Sequence, residues 1–266
     1  MIDFEGFEEY LIDEELSAST IDAYMRGLKK YAEMYDEISK ANILEFKKFL
    51  IANYKPQTIN LRITAVLRYC AFKDINIKCK HVKEMHKTHI ENVISVEQYE
   101  KLCKGLADDG LNDWLIYIKF LAKTGMRISE ALQITKLDVL RGYATIPTKC
   151  HYRTIYFPES LVNEMQGYLE KLEDNQKIML NTYGKPYTDR GVAERLQTFG
   201  KKYGIPKEVM HVHGFRHFFA IEFLKRRQDI ALLADLLGHS SVNVTQLYLR
   251  QSQEQQQAAI NSAVNW

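Results

Sequence analysis

The run Trp114-Leu115-Ile116-Tyr117-Ile118-Lys119-Phe120-Leu121-Ala122 is apolar almost all the way round a helix. Such a helix has no face to give to water, so it belongs at the centre of a domain with other elements wrapped about it. Gly125 ends it. Ile128, Ala131, Leu132 and Ile134 then make a short helix behind Arg127. The period changes next: Tyr143-Ala144-Thr145-Ile146-Pro147 and Arg153-Thr154-Ile155-Tyr156-Phe157 read as two strands about a turn near Lys149-Cys150-His151. Helical spacing returns around Leu161–Leu172 and Gly191–Tyr203, in the His213 region, and at Ile230, Leu233, Leu236 and Leu237, which Gly238 stops. This half of the chain is helical with a small sheet.

The first 75 or so residues read as helices alone. An acidic helix lies near Phe7–Leu11. Ser19-Thr20 can cap a second with Ile21, Tyr24, Leu28, Tyr31 and Ala32 at helical spacing. Ser39 can open a third through Ile43, Leu44, Phe46, Phe49 and Leu50, and Pro56 suits the first turn of a fourth that runs to about Phe72. Residues 74–93 lose the periodicity and carry many charges, so they read as a linker. Cys79, His81, His86 and His89 lie there, but their spacing fits no common zinc pattern.

No apolar run approaches the roughly 20 residues of a bilayer span, and the acidic start Met1-Ile2-Asp3-Phe4-Glu5 is no secretory signal. Cys70, Cys79, Cys103 and Cys150 follow no metal or redox spacing, so reduced thiols in a cytoplasmic protein are expected. The net charge is only +2, but it is unevenly spread. Residues 1–39 carry 3 Lys/Arg against 11 Asp/Glu, and residues 40–90 carry 11 against 3. A basic face can bind phosphate while an acidic one cancels the total. Lys47, Lys48, Arg62 and Arg68 are the candidates for such contacts, which position DNA without reading its bases.

Between Thr124 and Tyr248 stand polar groups that suit the cutting of a DNA strand by a tyrosine: Arg127, Lys149, His213, Arg216 and Tyr248. Phosphorus under attack gains negative charge on its non-bridging oxygens, and guanidinium groups, planar and always charged, suit them. His213 and Arg216 are three apart and share a helix face. A tyrosine of ordinary pKa near 10 needs a nearby base or a positive field, and His213 can accept its proton or bond the phosphate. A lysine beside two arginines has reason to release a proton to the departing oxygen. Tyr248 follows a helix stop and a fresh cap, which puts it about two turns into a short helix. His213 and His217 could ligate zinc at i and i+4, but the glutamate of H-E-x-x-H is missing. No phosphate-binding loop of the G-x-x-x-x-G-K-[ST] type exists.

The stretches Thr124-Gly125-Met126-Arg127-Ile128-Ser129-Glu130-Ala131-Leu132, Lys149 with Arg153, His213-Gly214-Phe215-Arg216-His217, and Leu236-Leu237-Gly238-His239-Ser240-Ser241 leading to Tyr248 resemble the tyrosine recombinase, or phage integrase, family. Phe215 stands where that family usually has leucine. The resemblance implies a SAM-like helical core-binding domain over 1–78, a linker over 79–93 and, over 94–266, a mixed α/β catalytic domain of the DNA breaking-rejoining type. It implies that Arg127 and Arg216 clamp the phosphate, Lys149 is the general acid, His213 and His239 support, Glu130 braces, and Tyr248 forms a 3′-phosphotyrosyl bond. Rejoining then needs no cofactor, neither ATP nor metal. Expected partners are double-stranded DNA with inverted-repeat core sites, three further copies of the chain in a tetramer on two sites, and accessory proteins in some systems. The tail through Ala258-Ala259-Ile260 and Val264-Asn265-Trp266 is the candidate segment passed to a neighbour. Because the helices begin near Met1, the expected type is Xer-like, without an arm-binding domain. Two rival activities share these residues: strand relaxation of the type IB topoisomerase kind, and DNA binding without cleavage.

Overall fold

The computed structural model describes residues 2–84, 92–147, 152–238, 245, 247–249, 260–262 and 264, and the structural statements below concern these. The chain divides into two compact units, Met1–His86 and Lys87–Trp266.

The first unit holds α1 (Phe4–Asp13), α2 (Ala18–Ala32), α3 (Lys40–Asn53) and α4 (Pro56–Phe72). Asp3, Ser17 and Ser39 cap the first three with side-chain oxygens, and Pro56 opens the fourth. The cap of α2 is thus Ser17 rather than Ser19-Thr20. Its hydroxyl accepts from the Thr20 N–H, and Ser19 and Thr20 fall inside the first turn. Tyr31, Ile43, Phe46, Leu50, Ile63 and Val66 are fully buried between the helices, as are Phe7, Leu11 and Leu28. Helices α2 and α4 meet closely at Gly27, where an added Cβ would come within 2.7 Å of the Ala65 Cβ.

Beyond α4 the chain forms neither helix nor strand up to residue 84, yet Ile75, Ile77, Cys79 and Val82 pack against the core. Asn60 on α4 fastens this strap: its Oδ1 accepts from the Val82 N–H at 2.9 Å and its Nδ2 donates to the Val82 carbonyl at 3.1 Å.

The second unit contains α5 (Val96–Asp108), α6 (Asn112–Thr124), α7 (Ile128–Ala131), α8 (Lys136–Arg141), β1 (Tyr143–Pro147), β2 (Tyr152–Tyr156), α9 (Glu159–Leu169), α10 (Asp189–Tyr203), α11 (Val212–Arg226), α12 (Ile230–Leu237) and a 3₁₀ turn, Leu247–Leu249. Helix α6 is the expected central helix. Trp114, Tyr117, Ile118, Phe120, Leu121 and Ala122 are buried, and α5, α9 and α11 pack on it. Gly125 ends it at φ 59°, with Phe219 so close that an added Cβ would clash. Helix α8 has too few residues to show a period. Its signal is local: the Thr135 hydroxyl and the Asp138 carboxylate cap it reciprocally.

The strands pair antiparallel, Tyr143 opposite Tyr156 and Pro147 opposite Tyr152. Ala144, Ile146 and Ile155 point inward, and so does Arg153. The fold is mainly α with one small β-sheet. Among the described residues no helix is long and apolar enough to cross a membrane.

Candidate active site

Glu130 is the hub. It sits in the single turn of α7, directly behind the Gly125 stop, and is 5% exposed. One carboxylate oxygen accepts from the Arg127 main-chain N–H at 2.7 Å and the other from Arg127 Nη1 at 2.9 Å. Both oxygens also accept from Arg153 Nη1, each at 2.7 Å. Burial pushes the carboxyl up. The Arg127 N–H, the charge and hydrogen bonds of Arg153 and the Arg127 side chain outweigh it and hold the group below the usual carboxylate range.

Arg127 keeps 42% of its side chain exposed, so its guanidinium can reach a ligand. Arg216, in the second turn of α11, is 2% exposed and fixed from both sides, Nη1 donating to the Gly125 carbonyl at 3.0 Å and Nη2 to the Leu237 carbonyl at 2.7 Å. Burial, with the positive charges of Arg127 and Arg153, pushes its guanidinium down to about 10.

The C-terminus of α12 gathers these arginines. Arg153 Nη2 donates to the Leu236 carbonyl, Arg216 to Leu237, and Arg127 Nη2 to Gly238 at 3.3 Å. Three consecutive carbonyls, which a helix end leaves without internal partners, are each taken by a guanidinium from a different part of the chain. The negative end of the helix dipole favours those cations.

Helix α11 supplies the imidazoles. His211 caps it, its Nδ1 accepting from the Gly214 N–H at 2.9 Å. His213 follows in the first turn. Burial, then Arg216, His211 and Arg127, pull its pKa below the ordinary 6.5. The His217 ring meets that of His213 edge-on at 4.7 Å, and His217 Nδ1 lies 2.8 Å from the Tyr248 hydroxyl. Tyr248 packs on the apolar cluster of Ala220, Leu224, Leu233 and Leu237. Burial raises its pKa, and the positive charge of Arg216 opposes the rise.

Of the residues singled out from sequence, Arg127, Glu130, His213, Arg216 and Tyr248 therefore converge on α7, α11 and the end of α12. Lys149 and His239 lie outside the described residues, as does most of the C-terminal tail. Tyr248 is the middle residue of a 3₁₀ turn. The cap and the helical residues expected ahead of it fall within 239–247, of which 239–244 and 246 also lie outside. From sequence, Arg153 stands out only beside Lys149 in the family resemblance, without a role, and His217 only within that resemblance and as a zinc candidate. The available signals were the inward parity of Arg153 with Ile155 and the one-turn step from His213 to His217.

In the first unit, Lys47 donates to the Lys80 carbonyl and Lys48 pairs with Glu45 at 2.7 Å. Arg68 stands 3.7 Å from Glu14. The Arg62 guanidinium lies over the Tyr54 ring, 3.9 Å from its centroid. Lys48 is the most exposed of these partners, with 72% of its side chain open. Among the described residues, no group of three His, Cys, Asp or Glu side chains could hold a metal ion.

A model of the phage integrase family matches residues 92–255. Tyrosine recombinase XerA of Pyrococcus furiosus is 28% identical over 270 residues, which span 97% of this chain and 93% of that protein. Tyrosine recombinase XerD of Staphylococcus haemolyticus is 27% identical over 283 residues, with 93% and 94% covered. Among solved structures, XerH recombinase bound to palindromic difH substrate in a post-cleavage complex matches with a TM-score of 0.71 at 19% identity, covering 90% of this chain and 79% of that one. A lambda integrase dimer bound to a COC' core site matches with a TM-score of 0.74 at 15% identity, covering 99% and 77%. The structural likenesses show the fold. The family model spans more than half of the sequence, and the chain belongs to the phage integrase family as a tyrosine-type site-specific DNA recombinase.

Proposed function

We propose that Tyr248 is the nucleophile that breaks and rejoins DNA at sites flanked by inverted repeats. Its Oη attacks the backbone phosphorus. A P–O bond to tyrosine forms, the P–O5′ bond breaks, and the 3′ end is left on the enzyme. Arg127 and Arg216 hold the non-bridging oxygens, and Glu130 braces Arg127. The tyrosine proton leaves through the imidazoles of α11, His213 having been expected to take it. Lys149, between β1 and β2, donates a proton to the 5′ oxygen, and His239, just after α12, supports the phosphate. A second DNA end reverses the steps, the phosphotyrosyl bond having kept the energy of the linkage it replaced.

The observation that carries this reading is the hydrogen bond between the Tyr248 hydroxyl and His217 of α11, the helix that also presents His213 and Arg216, with the charge of Arg216 acting on the phenol.

Residues 1–78 serve in this reading as the core-binding domain, 79–93 as the linker and 94–266 as the catalytic domain with its exchange segment. Lys47, Lys48, Arg62 and Arg68 meet backbone phosphates after giving up their present partners. Four copies act on two sites, with accessory proteins where the site arrangement demands them. The free thiols of Cys70, Cys79 and Cys103 fit a cytoplasmic setting. DNA-bound relatives of the same fold support DNA as the substrate.

The deciding experiment traps the enzyme on a nicked suicide substrate. Wild type should form a covalent adduct that peptide mapping places on Tyr248, and Tyr248→Phe should form none. An equal adduct from the variant ends the reading. Recombination between cognate sites, compared with relaxation of an unrelated plasmid, separates strand exchange from relaxation alone.

A further inference from the structure

Arg153 occupies an inward position of β2, between core-facing neighbours, and is 4% exposed. An arginine buried there is costly unless every charge is matched, and an apolar residue of similar size is often no less stable. Its partners account for its presence. Nη1 meets both oxygens of Glu130, and Nη2 meets the Leu236 carbonyl at the end of α12. The same carboxylate holds the Arg127 guanidinium, and the next two carbonyls of α12 hold Arg216 and Arg127.

We infer that Arg153 is a positioning residue: it fixes Glu130, and through it the exposed Arg127 guanidinium, in register with the end of α12 from which the chain runs on to Tyr248. The inference rests on the proposed reading of Arg127 as a phosphate ligand. Arg153 spends Nη1 on the Glu130 carboxylate and Nη2 on the Leu236 carbonyl. Its effect is transmitted, first through the carboxylate and second through the helix end.

The fit is made by the planar fork. The two terminal nitrogens serve partners on α7 and α12 at once, while Nε stays buried without a hydrogen-bond partner. Gly238 makes room for it: a Cβ at that position would lie 2.5 Å from Arg153 Cδ and 2.9 Å from Nε. A lysine keeps the charge but loses the rigid spacing of two donors.

The test uses the full chain with Arg153→Lys and Arg153→Met. DNA affinity, thermal midpoint and the single-turnover rate of adduct formation at saturating suicide substrate are measured for each. Both variants should bind DNA within about twofold of wild type, yet form the adduct at least about thirtyfold more slowly, the mark of an interaction that matters in the transition state. Adding Glu130→Gln to Arg153→Met should slow the reaction no further than Glu130→Gln alone, because the two residues act as one path. Should Arg153→Met fail to fold, Arg153→Lys carries the comparison. A wild-type rate per folded molecule in Arg153→Lys, or losses in the double variant that simply add, overturns the inference. Adduct mapping in the wild-type arm keeps the outcomes separate. An adduct on a residue other than Tyr248 defeats the proposed nucleophile, whereas unchanged rates with the adduct on Tyr248 defeat only the role of Arg153.

Discussion

His217 Nδ1 and the Tyr248 hydroxyl stand 2.8 Å apart, which puts the His217 imidazole in direct contact with the tyrosine. The phenol is shifted upward by burial, so releasing its proton near neutrality calls for a partner. His217→Ala should lower the single-turnover cleavage rate by about a hundredfold, the usual worth of a positioned proton acceptor, with DNA affinity unchanged. Cleavage at the wild-type rate would show that the contact only stores the tyrosine between reactions.

His213 should remain neutral where an ordinary histidine is half protonated. Burial, Arg216, His211 and Arg127 all disfavour its charged form, so its titration midpoint lies below 6.5. Following the His213 ring resonances by NMR across pH 5–8, a range chosen because ordinary imidazoles titrate within it, tests this. A midpoint at or above 6.5 contradicts it.

Glu130 makes an acid-sensitive contribution to stability. Its folded pKa lies below the ordinary 4.5, so in the interval between the two values the unfolded chain binds more protons and stability rises with pH. The gap in unfolding free energy between wild type and Glu130→Gln should be complete above pH 4.5 and close as pH falls through the folded value. A gap that stays constant through this range means that the carboxylate charge is not what the arginines recognise.

Gly238→Ala should destabilise the second unit by about 1–2 kcal/mol, since its φ of 63° is the left-handed conformation that disfavours a Cβ. Its methyl would also press on Arg153, so cleavage should slow by more than the loss of folded protein explains. Thermal unfolding and adduct formation, measured on one sample, separate the two effects.

Asn60→Ala should loosen the strap without unfolding the four helices. The side chain satisfies both main-chain groups of Val82, and stranding them costs about 1–3 kcal/mol. Limited proteolysis should then cut within residues 75–84 while α1–α4 keep their helical signal. Unchanged resistance would place the hold of the strap in Ile75 and Ile77 instead.

The elements that the sequence announced are those whose signals are local. Ser39 and Pro56 start helices, and Gly125 and Gly238 stop them, as read from residue type alone. Ser17 does not stand out in the sequence because Ser19 and Thr20 offer competing hydroxyls two and three residues on. The strap over residues 75–82 shows no helical period, because it is held by a few apolar side chains on the core and by single side chains of α3 and α4, Lys47 and Asn60. At the site, the chemically suited types are recognisable one by one, Arg153 beside Lys149 among them, whereas the role of Arg153 is not. Its importance comes from burial beside Glu130, 23 residues away, and a strand reads the same whether an inward arginine is paired or merely misplaced.

The end of α12 has one last implication. Among the described residues three guanidinium groups and one carboxylate meet there, an excess of two positive charges, with Arg153 and Arg216 buried and Arg127 open to solvent. Carbonyl dipoles soothe that crowding but do not cancel it. An arriving phosphodiester therefore completes an unfinished charge balance, and the enzyme should melt at a higher temperature with DNA in place than its contact area alone would suggest.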